Sequence, residues 1–285
     1  MTTAVLTSTL TADAIAELAV GSLWAEADLT PKPGLVDQRG SGAHTDMDLA
    51  VLAASAEALR SAFAECASAA VQLPLGPELR EAVGTIGRAG ERTMLAATGG
   101  VNTHRGALWA LGLLSAGAAT TAGTADVIDF AARLASMPDP AGPATVLSHG
   151  ADARVRYGVR GAEGEAQEGF PHVRRHALPA LHAARRSGCD EASARLAALM
   201  ALMAHLDDTC LLHRGGIAAL RAVKAGARTV VAAGGCGEPE GRLRFAELDL
   251  LCRDRHLSPG GSGDLLSVTL FLDALTEGEA RPCKR

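Results

Sequence analysis

Three glycine-rich turns in the chain carry basic or hydroxyl side chains and run toward helix-like segments. They are Gly99-Gly100-Val101-Asn102-Thr103-His104-Arg105-Gly106, His213-Arg214-Gly215-Gly216 and Ser258-Pro259-Gly260-Gly261-Ser262-Gly263-Asp264. Backbone N–H groups at a helix start are unpaired and point outward, so each turn is a ready anion site. With Lys32 in a fourth turn, Pro31-Lys32-Pro33-Gly34, the set implies a substrate bearing several phosphates. Arg105 and Arg214 point the same way, because a cation beside the positive end of a helix dipole needs an anion there. The G-x-x-x-x-G-K-[ST] spacing is absent, so none of the turns is a P-loop.

The acids are the second source of chemistry. Glu26 follows Leu23 by three residues and Leu18 by eight, which puts its carboxylate on the apolar face of a helix. A carboxylate there needs a partner such as a neighbouring arginine, a metal or a catalytic reason. In His44-Thr45-Asp46-Met47-Asp48, either Asp46 is a helix N-cap and Asp48 a first-turn acid favoured by the dipole, or the carboxylates are oxygen ligands for Mg²⁺. Asp207 and Asp208 read as closing an apolar helix, where they oppose the dipole and require a cation or a cap. Asn102 or Thr103 fits an N-cap for the helix that His104 and Arg105 open. Residues 158–171, with Arg160, Glu163, Glu165 and four glycines, form either a flap over a nucleotide or a solvated excursion. His149, His172, His176, His182 and His256 have no ligand spacing and read as surface or capping groups.

Helices must hold these groups in place. Thr11 caps a periodic segment through Ile15, Leu18, Ala19 and Leu23, which the turn at residues 30–34 ends. Helical spacing recurs over residues 46–71, 78–97, 107–114, 176–187, 190–208, 215–226, 244–253 and 262–276. Residues 139–143 are the best linker, and residues 150–171 read as a functional loop. Only Arg228-Thr229-Val230-Val231-Ala232 resembles a strand. The expectation is an all-α fold: a loose start over residues 1–10, one multi-helix domain over 11–277 with its nucleotide site in interhelical loops, and a tail over 278–285.

Bulk properties exclude several classes. A net charge of −5 gives no basic field for nucleic acid or anionic lipid, and 3% aromatics argues against base-stacking platforms. The start lacks a basic region followed by an apolar run, and no long apolar stretch predicts a membrane span. Six scattered cysteines without a C-x-x-C pair read as reduced core residues of a cytoplasmic protein.

In chain order, Glu26, Pro31-Lys32-Pro33-Gly34, Asp37, Gly42-Ala43-His44-Thr45-Asp46-Met47, Gly100-Val101-Asn102-Thr103-His104-Arg105-Gly106, Gly164-Glu165-Ala166, Gly169-Phe170-Pro171, Asp208-Thr209, Arg214-Gly215-Gly216 and residues 257–265 are similar to the triphosphoribosyl-dephospho-coenzyme A synthases. The likeness runs from about residue 12 to 275. His44-Thr45-Asp46 and residues 102–112 resemble the malonate decarboxylase branch more than the citrate lyase branch. Two positions depart: Glu163 stands where arginine is more usual, leaving Arg160 for that role, and Cys210 stands where asparagine often follows Asp-Thr.

The resemblance implies an all-helical enzyme that joins the 5-triphosphoribosyl group of ATP to the 2′-hydroxyl of 3′-dephospho-coenzyme A and releases adenine. The product is a prosthetic-group precursor, so a downstream prosthetic-group transferase and an acyl carrier protein are the implied partners. A homo-oligomer is left open. Glu26, Asp37, Asp46, Asp208 and Asp264 become candidate Mg²⁺ ligands, with the base among Glu26, Asp46 and Asp208. His44 and His104 would orient the ribose or protonate adenine. Lys32, Gly34, Gly100, Asn102, Thr103, Arg105, Gly106, Arg160, Glu165, Arg214, Gly215, Gly216, Ser258, Gly260, Gly261 and Ser262 would hold the nucleotide. Two competing readings are a metal-dependent hydrolase built on His44/Asp46 and His205/Asp207, and a helical scaffold whose glycine turns are caps and hinges.

Overall fold

Thr11 starts the first helix as its side chain dictates: Oγ1 accepts from Ala14 N at 3.2 Å and opens α1 (Ala12–Ala27). The structure is a computed structural model that describes residues 10–142 and 149–280. Residues 1–9 of the expected loose start, Pro143 of the expected linker and residues 281–285 of the expected tail lie outside the described residues.

The expected helix over residues 46–71 is two helices, α2 (Leu49–Ala58) and α3 (Arg60–Gln72), which meet at Leu59. Asp48 is the N-cap of α2, its Oδ1 accepting from Val51 N at 2.9 Å, so Asp46 lies outside the helix. Proline at the first helical position opens α4 (Pro77–Ala97), where its missing N–H costs nothing. Next come α5 (Arg105–Ala118), buried nearly all round, and α6 (Thr124–Ala135). A π-helical turn (Val173–Ala177) leads into α9 (Leu178–Arg186), followed by α10 (Glu191–His205) and α11 (Thr209–Ala232). The chain closes with α12 (Pro239–Asp254) and α13 (Gly260–Ala280). Residues 278–280, expected in the tail, belong to α13.

Two expectations are corrected. Residues 150–171 are largely helical, as α7 (His149–Tyr157) and α8 (Gly161–Gln167), because the stretch is rich in alanine, arginine and glutamate, which favour helix. The strand-like residues 228–232 end α11. Val223, Ala227 and Val230 recur at helical spacing and are buried together, and that packing overrides the β-propensity of Thr229, Val230 and Val231. Among the described residues there is no strand, only an isolated bridge between Asp37 and Gly40.

Helix α5 sits at the centre, packed against α1, α3, α4, α6 and α13, while α11 lies between α10 and α12. One apolar cluster runs through nearly all of these helices, from Ile15 and Leu23 through Leu111 and Leu114 to Phe271. No single helix among the described residues is long and apolar enough to cross a membrane.

Candidate functional site

Where α1, α4, α5, α11 and α13 converge they leave a cavity of about 1490 Å³. Its deepest charged group is Lys32, which has 0% exposure. The ammonium donates to Glu26 Oε1 (2.7 Å), to the Glu26 carbonyl (2.5 Å) and to the Ala27 carbonyl (3.3 Å). All three of its N–H donors are thereby used, two of them on the last carbonyls of α1. The buried Glu26 side chain thus has Lys32 as its partner, rather than an arginine. The segment after α1 is pinned by Asp37, whose Oδ2 accepts from Lys32 N at 2.8 Å, and by Arg39, which bridges Asp37 and Asp249 at 2.7 Å each.

Two more carboxylates lie near Glu26, Asp208 buried and Asp264 half-buried. Asp208 is the N-cap of α11, so it favours that helix's dipole instead of opposing the end of α10. Oδ1 accepts from Cys210 N (2.9 Å) and Leu211 N (3.4 Å); Oδ2 accepts from Ser262 N (2.8 Å) and Ser262 Oγ (3.0 Å). Asp208 therefore ties the starts of α11 and α13 together, and both oxygens are occupied. Asp264 accepts from Ala107 N near the start of α5; burial, with Glu26 and Asp208 nearby, pushes its carboxyl well above the usual range. A Cβ on Gly106 would fall on the Asp264 carboxylate, so glycine alone fits that approach.

His104 is the N-cap residue of α5, and its own side chain makes no cap bond. Neither Asn102 nor Thr103 takes the expected capping role; of the first N–H groups of α5, that of Ala107 is taken by Asp264, while Arg105 and Gly106 border the cavity. The imidazole is buried, Nδ1 lies 2.7 Å from Ser55 Oγ, and Nε2 has no hydrogen-bond partner. Burial pushes His104 down to about 4. Its unfolded imidazole takes a proton near 6.5 and the folded one only near 4. Stability should therefore fall as pH drops through that window, by up to about 1.4 kcal/mol per unit. Chemical denaturation between pH 7 and 4 should show a shallower loss in His104→Asn, and an unchanged slope would contradict the assignment. His172 acts in the opposite sense: its bond to Glu165 raises its pKa, so its contribution is full below about 6.5 and is lost as pH rises through the folded value.

Arg214 and His44 stand at the rim. Arg214 donates to the Ala43 carbonyl (3.3 Å), the His256 carbonyl (3.1 Å) and His44 Nδ1 (3.1 Å), and no carboxylate among the described residues pairs with it. His44 Nε2 lies 2.8 Å from Ser258 Oγ, and burial, with Arg214 next, lowers its pKa. Arg105 already has its anion, the Glu91 carboxylate of α4. Beyond Arg214, α11 breaks at Gly216 (φ 64, ψ −163), backbone that only glycine adopts readily, so this turn interrupts a helix rather than opening one.

The cavity also borders Gly100, Asn102, Thr103, Asp46, Glu165, Gly260 and Gly261. Six expected residues lie off it: Gly34, Asp37, Arg160, Gly215, Gly216 and Ser262. Arg160 is exposed and pairs with Glu168, Ser262 turns to Asp208, and Glu165 is engaged by His172 N (2.9 Å) and Nδ1 (2.7 Å). His205 stacks on His176 and Asp207 pairs with Lys224, so the second pair of the hydrolase reading is otherwise engaged. Among the described residues no three His, Cys, Asp or Glu side chains form a metal cage.

Sequence reasoning missed Ser55 and one whole wall. Arg80, Gly84, Gly87, Arg88 and Glu91 share a face of α4 that borders the cavity, and their spacing of four, three, one and three was the available signal. Across from them Trp109 stacks under Arg80, 5.2 Å from guanidinium to ring centroid, and Asp139 bridges Arg80 and Arg88. Around Gly87 nothing lies within 4 Å of an added Cβ. Gly87→Ala should therefore stabilise the protein by about 0.5–1 kcal/mol, read as a higher thermal midpoint; a lower one would mean the wall tolerates no side chain.

The family model described as ATP:dephospho-CoA triphosphoribosyl transferase matches residues 12–283. A probable 2-(5''-triphosphoribosyl)-3'-dephosphocoenzyme-A synthase of Azotobacter vinelandii is 54% identical over 268 residues, 93% of this chain and 92% of that protein. Its counterpart in Stutzerimonas stutzeri is 52% identical, over 95% and 94% of the two chains. The 2-(5''-triphosphoribosyl)-3'-dephosphocoenzyme-A synthase of Klebsiella pneumoniae is 49% identical, over 91% and 93%. No solved structure matches.

Proposed function

The chain belongs to the ATP:dephospho-CoA triphosphoribosyl transferase family, and from that premise we propose that the cavity brings ATP and 3′-dephospho-coenzyme A together for transfer of the 5-triphosphoribosyl group to the 2′-hydroxyl, with release of adenine. The observation that carries this is one cavity with Glu26, Asp208 and Asp264 at its base and, at its edge, the start of α5 and Arg214, which has no carboxylate partner among the described residues. Substitution at an anomeric carbon develops positive charge on the ribose, which a nearby carboxylate stabilises. Glu26 and Asp264 are the acids placed for that, since Asp208 is fully engaged in capping. The triphosphate stays intact throughout and has to be held, not cleaved. Arg105 and Gly106 at the start of α5, Gly260 and Gly261 at the start of α13, and Arg214 with His44 are its holders. Lys32, with every donor used, sets Glu26 in place.

Magnesium fits this donor set. Glu26 and Asp264 lie near one another at the cavity, and Mg²⁺ takes one or two carboxylates plus substrate phosphates rather than a full protein cage. Glu26 and Asp264 would hold it, and when bound it neutralises triphosphate charge. We further assign the chain to the malonate decarboxylase branch, on the likeness of His44-Thr45-Asp46 and residues 102–112, with an acyl carrier protein as the final acceptor.

The test is a product assay by liquid chromatography and mass spectrometry with ATP, Mg²⁺ and 3′-dephospho-coenzyme A. Adenine should appear in step with a triphosphoribosylated dephospho-coenzyme A. Adenine with free ribose triphosphate would establish hydrolysis instead.

A further inference from the structure

Ser55, on α2, is fully buried and makes two short contacts through one hydroxyl: 2.7 Å to His104 Nδ1 and 2.5 Å to Thr103 Oγ1. Thr103 and His104 both border the cavity. The three groups form a chain of hydrogen bonds that begins and ends at the substrate space.

Its direction follows from counting hydrogens. At neutral pH His104 is uncharged, so one ring nitrogen carries the proton. If Nδ1 carried it, Nδ1–H would donate to Ser55 and Ser55 to Thr103. The Thr103 hydrogen and the Nε2 lone pair would then both lack partners. If Nε2 carries it, Thr103 donates to Ser55, Ser55 donates to Nδ1, and one group alone, Nε2–H, is left open. Nε2 is buried and without a partner, and His104 borders the cavity. A buried polar group without a partner costs free energy until something supplies one.

We propose that Ser55 is a positioning residue which, backed by Thr103, fixes His104 in the tautomer carrying its proton on Nε2 and so presents a neutral donor to an acceptor atom of the bound nucleotide. The word nucleotide rests on the transferase reading; the tautomer does not. In this arrangement the imidazole donates a hydrogen bond without carrying charge, and the Ser55 hydrogen, turned to Nδ1 by the Thr103 donation, disfavours the alternative tautomer.

The experiment uses the whole chain labelled with ¹⁵N-histidine, the His104 signals being identified by their loss in His104→Asn. The wild type should show a protonated Nε2 and an unprotonated, hydrogen-bonded Nδ1. Ser55→Ala should mix the tautomers and lower kcat by on the order of tenfold to a hundredfold, part of what a positioned proton donor supplies. KM for both substrates should stay within about twofold, as expected when an interaction made in the transition state is lost. Ser55→Thr, which keeps the hydroxyl, should restore both readouts. Thr103→Val removes the far donor while leaving Ser55 packed, and should shift the tautomer in the same direction. A proton on Nδ1 in the wild type overturns the proposal, and so does an unaltered tautomer in Thr103→Val. A wild type that makes no conjugate would remove the transferase reading, while the nuclear magnetic resonance arm still decides the tautomer.

Discussion

Lys32→Met should lower folding stability by roughly 3–5 kcal/mol and abolish conjugate formation, because it strands a buried carboxylate. The ammonium is fully enclosed and serves Glu26 in two ways, through its carboxylate and its carbonyl, with a third bond to Ala27 O. Removing it leaves Glu26 without its ion partner and the Ala27 carbonyl without the ammonium's hydrogen bond. Adding Glu26→Gln to Lys32→Met removes the stranded charge and should recover more than half of the lost stability with no recovery of turnover. Urea denaturation of the two single variants and the double variant closes a thermodynamic cycle whose coupling should exceed about 1 kcal/mol. A single-variant loss below about 1 kcal/mol, or simple additivity, would mean that the pair contributes nothing as a pair.

Asp208→Asn should cost on the order of 2–4 kcal/mol, because four donors converge on two oxygens and an amide keeps one oxygen only. Whichever way the amide turns, its NH₂ meets N–H groups from α11 or α13. Turnover should fall as well, since the same carboxylate sets α13, and with it Gly260, Gly261 and Asp264, against the cavity. Ser262→Ala removes one of the four donors, so its own cost should be about 1 kcal/mol and should shrink in the Asp208→Asn background. Equal Ser262→Ala costs in the two backgrounds would show that Asp208 and Ser262 act independently.

The parts of this architecture legible in the sequence are those set by local spacing. Glu26 sits three and eight residues from Leu23 and Leu18, and a helix carries all three to one face. The apolar run after Arg105 could be nothing but a core helix. What stayed hidden depends on where distant segments meet. Asp208 read as a helix-closing acid because the apolar pattern of α10 runs almost unbroken into α11; only the extended backbone at Leu206 separates them. Arg105 looked exposed to the helix dipole without relief, and its relief comes from Glu91, a helix away. Ser55 sits in an alanine-rich stretch with nothing local to mark it, since both of its partners lie nearly fifty residues on. The strand expectation for residues 228–232 failed for the converse reason: three β-branched neighbours gave a local signal that helical packing outweighed.

The break at Gly216 gives the two parts of α11 different freedoms. The first part places Arg214 at the cavity edge, and the second packs through Gly226 against Leu248 of α12 and through Arg228 onto the end of α10. In an unbroken helix, gaining or losing one residue rotates everything beyond it by about 100°. Here such a change in the second part stops at the glycine. Lineages can therefore shorten, lengthen or repack the scaffold half of α11 while the aim of Arg214 persists, and sequence drift along this one helix should divide sharply at residue 216.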